Sequence, residues 1–190
     1  MVLITSLLLL LVVTILAIAM FRGVGLENRI AGNVMDKQRA LQAATSTENY
    51  AEQWLVYNVT STPPVICTPA MFTDTNTPMI CNNLLALSTD ALSPLVVPWN
   101  IGGSPVGYTY NPATGSTTTL FPVSATGAVD SFYEPPTVYI ASLGSDATNP
   151  RNADYQIDAW STGGSSGTVA VVESVYQISY TACAFPQCGL

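Results

Sequence analysis

MVLITSLLLLLVVTILAIAMFRGVGLENRIAGNVMDKQRALQAATSTENYAEQWLVY, residues 1–57, is the stretch from which the rest of the chain is read. Residues 1–21 contain no charge, Pro or Gly, and Thr5, Ser6 and Thr14 are their only polar side chains. A helix of this length is about 32 Å long at a rise of about 1.5 Å per residue, enough to cross a hydrocarbon layer of about 30 Å. Arg22 closes the span. The pattern then becomes one-sided, with Leu26, Ile30, Val34, Leu41, Ala44, Ala51 and Leu55 recurring at steps of three, four or seven, which places them on one helical stripe. Glu27, Arg29, Asp36, Arg39, Gln42, Glu48, Asn49 and Glu52 supply a wet opposite side. No Pro precedes Pro63, so a single helix is expected to run from the span into a head comprising residues 58–190. Gly23, Gly25 and Gly32 mark residues 22–32 as its weaker section.

The apolar run lacks the basic leading region of a secretory signal peptide, although Ala17-Ile18-Ala19 offers small residues of the kind found at cleavage sites. A buried core helix of a soluble protein is shorter and less uniformly apolar.

Charge is distributed unevenly. Arg22, Arg29, Lys37 and Arg39 balance the four carboxylates of residues 1–57, whereas the head sets Arg151 against Asp74, Asp90, Asp130, Glu134, Asp146, Asp154, Asp158 and Glu173. The head therefore carries the whole net charge of -7, which argues against nucleic acid or anionic lipid as its ligand. The sequence contains no His, so the usual Ser/His/Asp and Cys/His arrangements are ruled out, and no phosphate-binding glycine loop or haem-attachment motif occurs. Neither an enzymatic role nor a cofactor is expected.

Four cysteines, Cys67, Cys81, Cys183 and Cys188, all lie in the head. An even number in an exported domain points to two disulfides. Three connectivities are open; the local pairs Cys67–Cys81 and Cys183–Cys188 are preferred because each closes a loop containing Pro. Zinc is disfavoured by the spacing and by the lack of His. Asp146, Asn149, Asn152 and Asp154 form an oxygen-rich cluster and a candidate calcium site, but without the spacing of a known calcium loop. Asn58-Val59-Thr60 is a glycosylation sequon, and Trp99, Tyr133, Tyr139 and Trp160 are candidate interface anchors.

Residues 58–94 show little strand pattern beyond a short helix at 82–87. Strand-like runs follow at 95–99, 106–110, 116–122, 137–143, 155–161 and 169–180. Their short connections suggest an antiparallel meander, and therefore an α+β fold. Tyr155, Ile157 and Ala159 alternate with polar neighbours, so one face is expected to rest on the helix and the other to meet water or a partner. In the last run Glu173 and Gln177 share a phase with Val171 and Val175, which suggests a bulge near Glu173.

Leu-Glu-Asn-Arg-Ile-Ala-Gly-Asn (26–33) and Ala-Leu-Gln-Ala-Ala (40–44) within the long helix resemble the N-terminal segment of type IV pilins, specifically the PilX-like minor pilins. PPTVYIASLG (135–144) and YQIDAWSTGG (155–164) with VAVVESVYQ (169–177) resemble the closing strands of that family. The resemblance implies the type IV pilin fold, a long N-terminal helix packed against a C-terminal antiparallel sheet. It implies cleavage before Met1, N-methylation of that residue, and a filament core built with Leu3, Thr5, Leu7, Leu10, Val13 and Leu16. It further implies a single-pass inner-membrane precursor that moves into a cell-surface pilus. Other pilin subunits would be its partners through the helix, as would other minor pilins and a PilY-type tip adhesin. One residue departs from the family pattern: most pilins carry a glutamate where this chain has Thr5. That departure suits a subunit in an unusual place, such as the tip. A repeating filament subunit, a membrane-anchored calcium- or ligand-binding module and a secretion-system pseudopilin are the alternatives.

Overall fold

The computed structural model describes residues 2–72, 77–85, 97–101, 104–112, 119–124 and 131–179. Helix α1 spans Val2–Asn58. The strands are β1 (Ile80–Cys81), β2 (Asn100–Ile101), β3 (Ser104–Pro105), β4 (Tyr108–Thr109), β5 (Thr137–Ser145), β6 (Asn152–Thr162) and β7 (Val169–Ser179), and a short 3-10 turn covers Pro69–Phe72. The chain divides into two compact units, residues 1–36 and 37–190.

In the second unit the main sheet runs β1-β5-β6-β7, with β4 sharing the outer edge of β5 with β1. The β5–β6 and β6–β7 pairs are antiparallel hairpins of long, alternating sequence. One face lies on the second half of α1. Val138, Ile140, Tyr155, Ile157 and Ala159 pack there against Ala51 and Leu55, and Ala170 and Val172 pack against Ala40 and Ala44. The helix presents mostly alanines to this contact, so its backbone approaches the sheet closely.

This ridge corrects the expected apolar stripe. Ala44, Ala51 and Leu55 are buried together with Ala40, Ala43 and Thr47, whereas Leu26, Ile30, Val34 and Leu41 are exposed. The burying face is thus turned slightly away from the line drawn through the large aliphatic residues, because close packing on a sheet selects small side chains.

Along Gln156–Trp160 of β6 the opposite face of the sheet is covered and does not meet water, as its polar alternation suggested, whereas Glu173, Val175 and Gln177 of β7 on the same face stay exposed. Gln156, Asp158 and Trp160 are buried. Tyr139, Ala141 and Trp160 lie under a layer formed by Cys67, Cys81, Leu85, Trp99 and Val106. Cys67, Cys81 and Leu85 of that layer come from the 58–94 region, expected to show little strand pattern, and Trp99 and Val106 from the runs expected at 95–99 and 106–110. Within it Val65 and Cys81 form an isolated parallel bridge, and β1 pairs in parallel with β5. A two-residue strand has no period to read, and the meander is therefore mostly, not wholly, antiparallel.

Several expected elements differ. Residues 82–85 are not helical; there Asn83 accepts from Cys67 N at 2.8 Å and donates to Cys67 O at 3.2 Å, spending its side chain on the loop. Residues 86 and 87 lie outside the described residues. Only Tyr108–Thr109 of the 106–110 run forms a strand, and residues 119–122 are irregular, held by Asn111, which caps Phe121 through N and O. Residues 97–99 are also irregular, with a cis Val97–Pro98 bond. The expected bulge near Glu173 is absent. β6 and β7 keep one register throughout, with Ala170, Val172, Ser174, Tyr176 and Ile178 alternating inward while Glu173, Val175 and Gln177 point outward. The register shift lies instead in β5, between Ser142 and Gly144, where Gly144 takes a φ of 94°.

Candidate assembly segment

In the first unit every large apolar side chain from Val2 to Met20 is at least 49 % exposed. Such a helix is long and apolar enough to cross a membrane, with a mean hydropathy of 3.0 in its most apolar window. Its three hydroxyls are satisfied within the helix: Thr5 Oγ1 donates to Val2 O at 2.8 Å, Ser6 Oγ to Leu3 O at 2.9 Å and Thr14 Oγ1 to Leu11 O at 2.8 Å. No orphan hydroxyl donor therefore opposes transfer of this segment into lipid or into an apolar helix bundle.

The residues expected to form a filament core do not share one face. Leu3, Leu7 and Leu10 line a shallow groove with Ser6, Leu11 and Thr14, while at about 100° per residue Thr5, Val13 and Leu16 fall on the other side. The segment can therefore present apolar surface to neighbours all around. Further along the same unit, Leu26, Ile30 and Val34 leave a stripe uncovered. Met1 lies outside the described residues.

Cys67 and Cys81 are joined by a disulfide, with Cα atoms 5.3 Å apart; Cys183 and Cys188 lie outside the described residues. The four oxygen-bearing residues weighed for calcium hold the β5–β6 turn and its flanking strands. Asp146 Oδ1 accepts from Thr148 N and Oγ1, both at 2.8 Å. These bonds hold its carboxyl below the usual range. Asn149 Oδ1 accepts from Arg151 N at 3.2 Å. Asn152 donates to Gln177 Oε1 at 3.1 Å, and Gln177 donates to Asp154 Oδ1 at 2.8 Å. Among the described residues no group of three or more His, Cys, Asp or Glu converges on a point. Asn58 spends its amide on Trp54 O at 2.8 Å, closing the end of α1. Trp99, Tyr139 and Trp160 are buried, whereas Tyr133 is partly exposed.

Two features escaped the sequence reading. One is a chain of rings along α1: Tyr50 stacks on Tyr110 at 4.2 Å, Tyr110 meets Phe121 at 5.9 Å, Phe121 meets Phe132 at 5.3 Å, and the Arg39 guanidinium lies 4.9 Å over Phe132. Arg39 also donates to Ser131 O at 3.1 Å, and Lys37 Nζ donates to Val169 O. The second is Asp158, fully buried and held by Gln156 Nε2, which also approaches Glu173. Burial, opposed by the Gln156 hydrogen bond and reinforced by the nearby Glu173 charge, pushes the Asp158 carboxyl up to about 7.

Residues 1–46 match the family model described as PilX N-terminal. Over those residues the leading helix is similar to the N-terminal segment of PilX-type proteins. No curated protein and no solved structure gives a significant match to the chain. The PilX-type match covers the exposed apolar span, the uncovered Leu26–Val34 stripe and the Ala40–Ala44 contact with the sheet. A PilX-type helix followed by an α+β head built on a mostly antiparallel sheet is the pilin arrangement, and it agrees with anchoring in the inner membrane and with a structural role.

Proposed function

We propose that this chain is a PilX-like minor pilin that helps assemble a type IV pilus and sits in its tip complex. The observation that carries the reading is the uncharged, exposed helix from Val2 to Met20 in a PilX-type segment, with Thr5 where most pilins have a glutamate. Before assembly lipid covers this surface; in the filament the helices of neighbouring subunits replace lipid. The exchange is apolar for apolar, so close packing rather than hydrophobic burial selects the partner. Without a carboxylate at position 5, the chain offers no charge to pair with a neighbour's terminal ammonium. A terminal position, with fewer neighbours to satisfy, suits it. Other minor pilins and a PilY-type adhesin are the partners this location implies, and the cell surface is the destination.

A second reading rests on the Thr5 hydroxyl. Because it donates to Val2 O, burial of Thr5 among neighbouring helices leaves no orphan donor, which favours a repeating subunit. Quantitative mass spectrometry of sheared, purified filaments separates the two. A trace but reproducible molar ratio, with a methylated Met1, is expected for the tip subunit. A ratio near that of the bulk protein would establish the repeating role, and absence from filaments would overturn both.

A further inference from the structure

β7 is the outer strand of the main sheet, and its free edge is long. In an antiparallel ladder a hydrogen-bonded pair alternates with a pair whose N–H and C=O groups point away from the partner strand. Gly163 N donates to Thr168 O at 2.8 Å, next to the Thr162–Val169 pair that opens the β6–β7 ladder. Val169 and every second residue after it, Val171, Glu173, Val175 and Gln177, therefore turn their backbone groups outward. Lys37 Nζ agrees with this phase, since it caps Val169 O. From Val171 to Gln177 these outward groups have no backbone partner among the described residues. Protein sheets blunt an open edge with Pro, Lys, a bulge or short length. β7 has 11 residues, neither Pro nor Lys, and one unbroken register with β6. Its side chains do not shield the edge either: Val175 is 63 % exposed and Glu173 is exposed.

Charge beside the edge selects the occupant. Lys37 reaches Val169 O, and Glu52 Oε1 lies 3.5 Å from Ser174 Oγ, so both residues stand on the flank of α1 that borders β7. At about 100° per residue Glu48 falls between them on that flank. Glu48 is 8 % exposed, and no ion pair reaches Glu48, Glu52 or Glu173 among the described residues. A carboxylate so enclosed is costly without a cation. We propose that the outer edge of β7 takes an extended, basic segment of another polypeptide as an added strand. Its backbone would complete the ladder from Val171 to Gln177. Its Lys or Arg side chains would meet Glu173 on one face and Glu52 and Glu48 on the other, and an apolar residue would cover Val175. A second copy of this chain would bring the same carboxylates to the edge and is disfavoured.

The test titrates the nitrogen-15-labelled full chain, in a zwitterionic detergent, with short peptides alternating valine with arginine or valine with glutamate. A third probe is the valine–arginine peptide N-methylated at every residue, which keeps its charge and loses its backbone donors. With the valine–arginine peptide, the amides of Val171, Glu173, Val175 and Gln177 are expected to shift saturably and to exchange more slowly with solvent. The glutamate and N-methylated peptides are expected to leave them unprotected. Glu173→Lys is expected to weaken the response about fivefold, and Val175→Pro, which removes an outward N–H that β6 does not use, to abolish it. Equal protection by the N-methylated peptide would reduce the effect to charge attraction and overturn the proposal, as would equal protection by the glutamate peptide. No protection with any peptide overturns it too. Protection of the four amides in the chain alone would assign the edge to the chain's own residues or, where it rises with protein concentration, to a second copy, and either result overturns the proposal.

Discussion

Asp158 shows how a side chain that reads as surface polarity becomes a pH-sensitive part of a core. It sits on β6 directly between Tyr139 of β5 and Glu173 of β7, on the face covered by the disulfide-linked layer. Tyr139, whose hydroxyl donates to Asn83 O at 2.7 Å, is itself pushed up by burial and then by the Asp158 charge. A carboxyl raised in the folded state to about 7 keeps its proton there while the unfolded chain releases it near 3.8. Between those values the folded state binds more protons, so stability falls as pH rises and levels off above about 7, with a slope of up to about 1.4 kcal/mol per pH unit. Asp158→Asn is expected to flatten that slope and to raise stability at pH 8, as measured by urea unfolding at pH 5 and pH 8. A slope unchanged in the variant would show that another group sets it. Gly107 carries a different constraint: its φ is 107°, and a Cβ there would lie 2.7 Å from Thr137 Cγ2 and 3.1 Å from Val138 O. Gly107→Ala is expected to cost about 1–3 kcal/mol, read from the denaturation midpoint at unchanged slope.

The second half of α1 is matched to the sheet by size as much as by polarity. Ala40, Ala44 and Ala51 are fully buried where the helix meets β5, β6 and β7, while Leu41 is 48 % exposed. Ala51→Leu is therefore expected to destabilise the head by about 1–3 kcal/mol through overpacking, and Leu41→Ala to change its stability by less than about 0.5 kcal/mol. Chemical denaturation of both variants checks the contrast, which is the reverse of what hydrophobicity alone would give. This is also where legibility ends. The apolar span was readable because it is a long uncharged run, and the rest of the helix and the two long hairpins because each repeats a local period over many residues. The choice of Ala40 over Leu41 was not, since it depends on how near the sheet lies. Nor was the burial of Asp158, because the layer covering it comes from residues 67–106 through non-local contacts. β1 was hidden by its two-residue length, and the ring chain by the distance in sequence between Tyr50, Tyr110, Phe121 and Phe132. Among the residues weighed for function, Trp99, Tyr139 and Trp160 showed their aromatic character in sequence but not their burial, which is again a property of that covering layer.

The two units answer to different surroundings. Residues 2–20 expose an apolar surface with no charge to solvate, whereas the core clusters of the second unit are, among the described residues, built from Ala40 onward. Among the described residues, every buried core side chain lies at Ala40 or beyond. The full chain is expected to sediment with membranes and to be released by detergent but not by high salt, because its attachment is apolar and is not screened. Leu10→Arg, placing a charge near the middle of the span, costs about 2.5–3.5 kcal/mol on insertion and should shift part of the chain into the soluble fraction. A chain starting at Arg22 should leave the membrane completely, yet its head should melt within a few degrees of the full chain in the same detergent. Fractionation with thermal melting of the three proteins tests both halves of the argument together. A head that unfolds once residues 1–21 are removed would mean that the span stabilises the head as well as anchoring it, and retention of the shortened chain on membranes would place a second anchor beyond the span.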